Sequence, residues 1–222
     1  MCGRKTLTRD MQSIIEELAI EEWLDKDYYN PSFNIAPTQQ SPILMDNGKR
    51  YVQSMRWGLI PYWAKDMKIG SRMINARSET LLEKPSFRNL VPKQRCVVIV
   101  DGYFEWHREG STKTPYYIKH PENKLLPMAG LWDTWKSSDG VVINSYTVIT
   151  TEPQPEITFI HNRMPVILKS NVLDTWLKPK TYETAEAMNI LKPYDGELEY
   201  YTVSNEVNYP TNNKPGIINP LS

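Results

Sequence analysis

Apolar positions Met11, Ile14, Ile15, Leu18 and Ala19 recur at intervals of three and four. That period predicts an amphipathic helix over residues 11–23, with Thr8 or Asp10 as its N-cap. The rhythm then changes. Residues 31–37 read as an irregular, proline-bounded segment. Apolar residues 43–45 and the alternating run 51–57 flank Asn47-Gly48, which predicts a hairpin closed by a two-residue type I′ turn. Residues 58–65 are aromatic and carry a proline, so they read as a loop. Residues 95–100 form an apolar run that predicts a buried strand continuing into Asp101-Gly102-Tyr103-Phe104-Glu105-Trp106. In an extended chain Tyr103 and Glu105 share one face, and Phe104 and Trp106 the other. Residues 115–119, 126–135, 141–150, 166–168 and 198–203 are further strand candidates. Residues 171–177 and 182–191 read as helices, and the Pro- and Asn-rich tail as irregular. Many strands with few helices predict an α+β fold on an antiparallel, barrel-like core. No repeat, low-complexity tract or linker divides the chain, so 1–222 is expected to be one domain.

Composition narrows the functional classes. The chain has 222 residues, 40% hydrophobic and 23% charged, which suits a globular protein. Its net charge is zero, so any nucleic-acid site must be a local basic groove rather than a global field. Seven Trp and thirteen Tyr against four Phe favour rings with polar edges, suited to a sheet core or a half-wet cleft. No apolar run is long enough to span a membrane and no leader is apparent, which points to the cytoplasm. No Cys/His cluster has metal-ligand spacing and no glycine-rich phosphate loop occurs, so neither metal nor cofactor is expected. The two cysteines, Cys2 and Cys96, make no disulfide framework. Cys96 lies in an apolar run and reads as an inert core thiol.

Five residues stand out as candidate chemistry. Removal of Met1 would leave Cys2 with an α-amine and a thiol on adjacent carbons. Such a 1,2-aminothiol can condense with an aldehyde and close a five-membered ring. Arg4 and Lys5 are near enough in sequence to favour the thiolate. Glu105, a lone carboxylate between aromatic residues, would have its pKa raised by desolvation and so suit general acid/base work, unless it is a surface residue on a strand edge. His161, beside Asn162 and Arg163, is either a proton carrier or a structural histidine. Asn75 and Arg77, in Ile74-Asn75-Ala76-Arg77, are polar groups set among apolar ones. They either serve a site or satisfy local backbone.

The stretches Met1-Cys2-Gly3-Arg4, Asn34-Ile35-Ala36-Pro37, Arg56-Trp57-Gly58-Leu59-Ile60-Pro61, Ile74-Asn75-Ala76-Arg77-Ser78-Glu79-Thr80, Asp101-Gly102-Tyr103-Phe104-Glu105-Trp106 and His161-Asn162-Arg163-Met164-Pro165 together resemble the SRAP family, the SOS response-associated peptidases or abasic-site processing proteins. The resemblance spans nearly the whole chain. It implies a β-barrel-like fold with flanking helices, single-stranded DNA containing abasic sites as partner, a monomer, and covalent capture of the lesion through Cys2. It further implies autoproteolytic removal of Met1, with Asn75, Glu105 and His161 as the other catalytic residues. Arg4, Arg77 and Arg163 fall where the family contacts DNA phosphates, and Trp63 near its DNA-facing aromatics, although Tyr62-Trp63-Ala64 stands where paired Trp would be expected. Two other classes stay open on the residues alone. One is a cysteine peptidase acting on other proteins through Cys2 and His161, and the other is a non-catalytic single-strand binding module.

Overall fold

The computed structural model describes residues 2–221. In chain order the regular elements are β1 (Arg4–Leu7), α1 (Met11–Leu18), β2 (Glu22–Trp23), β3 (Ser32–Ile35), β4 (Gln40–Asp46), β5 (Arg50–Trp57), β6 (Asn75–Arg77), β7 (Arg95–Val98), β8 (Gly102–Glu109), β9 (Thr112–Lys119), β10 (Met128–Lys136), β11 (Val142–Thr151), β12 (Met164–Pro165), α2 (Leu173–Leu177), α3 (Thr184–Asn189) and β13 (Glu199–Thr202). Short 3₁₀ turns connect several of them. The fold is α+β, as the sequence predicts.

Two sheets make up the architecture. In the first, β7, β10, β11, β5 and β4 follow one another as hydrogen-bonded neighbours, and β4 pairs again with β7. The parallel contact of β5 with β11, Ser145 opposite Arg56 and Tyr146 opposite Trp57, closes this ring of strands into a barrel. Closure removes the free edges that an open sheet would present. The second sheet runs β13-β9-β8-β1-β3. The chain passes from barrel to second sheet between β7 and β8. At that corner the Asp101 carboxylate accepts from Thr6 Oγ1, Thr8 N and Thr8 Oγ1 at 2.5–2.7 Å.

Local differences from the sequence expectation have physical causes. α1 stops at Leu18, not near residue 23, because Ala19 turns left-handed at φ 49°. The Ala19 and Ile20 amides then bond back to Glu16 O and Ile15 O. The apolar residues beyond it serve β2, which lies parallel to β5. Asp10, one of the two expected caps, does cap α1 through Ser13 N at 3.0 Å. The β4–β5 hairpin pairs Asp46 with Arg50, so its loop has three residues, Asn47-Gly48-Lys49, rather than two. Gly48 takes φ 116° there. The tail is not wholly irregular: 3₁₀ turns at Asn205–Asn208 and Pro215–Ile218 bury Val207 and Ile217.

The alternation expected on β8 decides what the second sheet covers. Tyr103 joins the main core with the barrel's apolar residues. Phe104 points the other way, into a smaller cluster with Tyr117, Val203, Val207 and Ile217. β1 therefore lies between β8 and β3 with core on both sides, and it carries Cys2 at its leading end.

Candidate active site

Three parts of the chain meet at the start of β1. β8 brings Glu105, whose face of the strand follows from its two-residue spacing from Tyr103. β6 brings Asn75, paired opposite Val148 of β11. The turn after residue 157 brings His161. Asn75 Nδ2 donates to the Cys2 backbone carbonyl at 2.8 Å, fixing the residue it faces. Asn75 Oδ1 is buried and has no partner among the described residues. Glu105 and His161 line one small cavity of about 210 Å³, together with Trp106, Arg108, Lys113 and Asn208. A wider groove of about 730 Å³ lies beside His120 and Lys124, but it holds none of the candidate site residues.

The electrostatics separate the three titratable groups. Glu105 is 3% exposed, and burial pushes its carboxyl up to about 7, so protonated and ionised forms coexist near neutrality. His161 is lowered to about 4, chiefly by burial. Its Nδ1 accepts from Arg163 N at 3.0 Å, which leaves the proton of the neutral ring on Nε2. Cys2 is fully buried, and its thiol is pushed up to about 12 by burial first and by the Glu105 carboxylate second.

That last result overturns the expectation that neighbouring cations lower the Cys2 thiol. Lys5 does oppose the rise, but its influence is smaller than that of burial. The Lys5 amine is itself desolvated and lowered to about 7. It donates to Ser41 Oγ at 2.9 Å and lies 5.1 and 4.9 Å from the ring centroids of Trp57 and Tyr146. Arg4 turns to the opposite face of β1. It donates to Asn34 Oδ1 at 2.7 Å and to Val207 O at 2.5 Å.

The remaining expected residues fall in different places. Arg77 is exposed at the end of β6, opposite Thr150 of β11. Arg163 reaches the same point: it donates to Thr150 O at 2.6 Å and holds Glu79 through two bonds of 2.6 and 2.9 Å. Arg77 and Arg163 thus converge at Thr150, whereas Arg4 is committed to packing. Trp63 is 47% exposed on the loop after β5 and does not line the cavity. Met1, whose removal the resemblance implies, lies outside the described residues. Among the described residues, no group of three or more His, Cys, Asp or Glu could hold a metal ion. Nor, among the described residues, is any helix long and apolar enough to cross a membrane.

Sequence reasoning missed four cavity residues. Arg108 and Lys113 are cross-strand partners in the β8–β9 hairpin; counting back from its turn would have paired them. Trp106 Nε1 donates to Asn208 Oδ1 at 2.8 Å, a contact across 102 residues that no local pattern announces.

With this geometry in hand, comparison with known proteins is decisive. The family profile of the SOS response associated peptidase (SRAP) matches residues 1–210. The chain belongs to the SRAP family. It is 43% identical over 221 residues to the abasic site processing protein YoqW of Bacillus subtilis (strain 168), covering 98% of this chain and 99% of that one. It is 34% identical to the abasic site processing protein HMCES of Gallus gallus, over 90% of this chain and 69% of the relative. An X-ray structure of a protein from Bacteroides thetaiotaomicron superposes with a TM-score of 0.89 at 28% identity, covering both chains completely. In this SRAP chain, Asn75 bonds to Cys2, while Glu105 and His161 line one small cavity.

Proposed function

We propose that this chain processes abasic sites in single-stranded DNA by forming a covalent link through Cys2. The observation that carries the reading is the meeting of Asn75, Glu105 and His161 around the first residues of β1. The names of its relatives favour the same substrate.

The steps follow from the groups present. Removal of Met1 would free the Cys2 α-amine, with Cys2 as the nucleophile and Glu105 as proton carrier. An abasic deoxyribose opens in part to an aldehyde. The amine adds to its carbon, and loss of water gives an imine. Glu105, poised near 7 by burial, supplies the proton that the departing water needs. The Cys2 sulfur then adds to the same carbon as its proton passes to the imine nitrogen, closing a thiazolidine. Both nucleophiles sit on one residue, so the second step is intramolecular and gains a large effective concentration. A thiol held near 12 reacts poorly while buried. Freeing the terminus and binding the sugar must therefore change its surroundings before the ring closes.

Asn75 would use its buried Oδ1 on the freed amine or a sugar hydroxyl. His161, neutral with its proton on Nε2, would serve the sugar hydroxyl as the ring opens to the aldehyde. Arg77 and Arg163 would hold backbone phosphates without reading sequence, and Trp63 would stack on a base. Arg4 would act at one remove by fixing β1 against the tail.

The test is incubation with an oligonucleotide bearing one abasic site, followed by a denaturing gel and intact-mass measurement. A shifted band in wild type, absent in Cys2→Ala, supports the reading. Retention of Met1 in the reacting protein, or a band that survives Cys2→Ala, overturns it.

A further inference from the structure

Phe159 is 48% exposed, two residues before His161. Three rings brace it: His107 at 5.9 Å, Tyr116 at 5.6 Å and Tyr200 at 5.7 Å between centroids. Its interplanar angles with them are 53°, 86° and 61°, so the rings meet tilted or edge-on and leave Phe159 standing clear of a stack. The His107 ring anchors the backbone beneath it by donating from Nδ1 to Phe159 O at 2.5 Å. Phe159 and the exposed Tyr200, with ring centroids 5.7 Å apart, form one contiguous aromatic patch rather than a lone exposed side chain, and such a patch beside a cavity marks a binding surface.

Register places this cluster beside the candidate site. Glu105 and His107 lie on one face of β8, two residues apart. Tyr116 of β9 sits directly opposite Glu105, and Tyr200 of β13 directly opposite Ile118, two residues along β9 from Tyr116. The face that carries Glu105 therefore continues without a break into the rings that support Phe159. Charge gives the patch a direction. Arg108 and Lys113 flank the cavity end, while Glu156 and Glu197 stand at the far end, in the groove that includes Tyr200. A polyanion lying across the cavity is attracted on the first side and repelled on the second.

We propose that Phe159, propped by His107, Tyr116 and Tyr200, is a stacking platform for one unpaired nucleobase next to the lesion on the captured strand. The proposal rests on the capture reading for which strand is bound, but it concerns affinity rather than chemistry. The acidic far edge limits the platform to a single base, after which the strand turns back toward Arg108 and Lys113.

The experiment compares wild type, Phe159→Ala and Phe159→Trp. Fluorescence anisotropy with an intact single-stranded oligonucleotide reads affinity. Capture of an abasic oligonucleotide at saturating protein, on a denaturing gel, reads chemistry. Stacking on one aromatic ring predicts roughly tenfold weaker binding for Phe159→Ala and near wild-type binding for Phe159→Trp, with saturating capture rates alike in all three. The tryptophan arm separates lost stacking from lost folding. Should Phe159→Ala bind as wild type does while wild type captures DNA, the platform is wrong and the capture reading stands. Should Phe159→Ala bind weakly while wild type captures nothing, the platform stands and the capture reading falls. Absence of single-strand binding by wild type overturns both.

Discussion

Lys5 offers the sharpest physical test. It is fully buried and donates to Ser41 Oγ, which also bonds to the Tyr146 hydroxyl at 2.8 Å. The ionisable groups that act on it are the buried Cys2 and Cys96. Burial lowers its amine from an ordinary 10.5 to about 7, a difference corresponding to roughly 5 kcal/mol against the charged form. The sign follows from proton counting. Between about 7 and 10.5 the unfolded chain still holds a proton that the folded chain has released, so stability rises with pH across that window. Lys5→Met keeps the length and removes the charge. It should therefore be more stable than wild type at pH 6 by a few kcal/mol, with the advantage shrinking by roughly 1.4 kcal/mol per pH unit above 7. Urea unfolding of both proteins from pH 6 to 9.5 measures this directly, because buried tyrosines and other shared groups largely cancel in the difference. A difference that stays flat from pH 7 to 9.5, or a Lys5→Met protein less stable at pH 6, would refute the desolvation argument.

Other consequences can be checked with the same protein. Glu105 keeps its proton when folded between an ordinary 4.5 and about 7, so its contribution to stability is full below 4.5 and is lost as pH rises through 7. Glu105→Gln should abolish that decline in urea titrations and, in gel assays, flatten the fall in capture rate expected above pH 7. His161, lowered to about 4, predicts the opposite slope at lower pH: stability should rise from about 4 to 6.5, and His161→Gln should remove that rise. Asn34 accepts from Arg4 and donates to the carbonyls of Val207, Tyr209 and Asn212. Asn34→Ala should cost about 2–4 kcal/mol in denaturant unfolding and expose residues 205–212 to amide exchange before the barrel opens.

Local patterns carried most of the strand map. The alternation in Tyr103-Phe104-Glu105-Trp106 assigns faces correctly, because β8 has core on both sides and each face selects different neighbours. Continuous apolar runs were less informative. Residues 95–100 read as one strand, yet the chain leaves the barrel after Val98 and re-enters the second sheet at Gly102. Hydrophobicity does not record that corner, whereas the Asp101 hydrogen bonds do. The helix after Asp10 starts where the apolar period predicts and ends earlier, because Ala19 in a left-handed conformation carries no compositional warning. At the candidate site, the family resemblance named the groups and tertiary burial set their state. Lys5 looks in sequence like a cation ready to activate Cys2. In the fold it is enclosed by Trp57, Tyr146 and Ser41, and its own charge is suppressed.

The clamp on β1 bears on the order in which the molecule can be finished. Arg4 fastens to Val207, 203 positions further along the chain. Asn34 grips carbonyls up to Asn212. On a ribosome the opening segment emerges first yet waits for almost the last residues before both of its faces are covered. The strand that carries Cys2 therefore gets its last support only once residues 207–212 are made; a product truncated before them would keep the pairing of β1 with β8 and β3 and the Asn75 bond to Cys2, but would lose the clamp on Arg4 and Asn34.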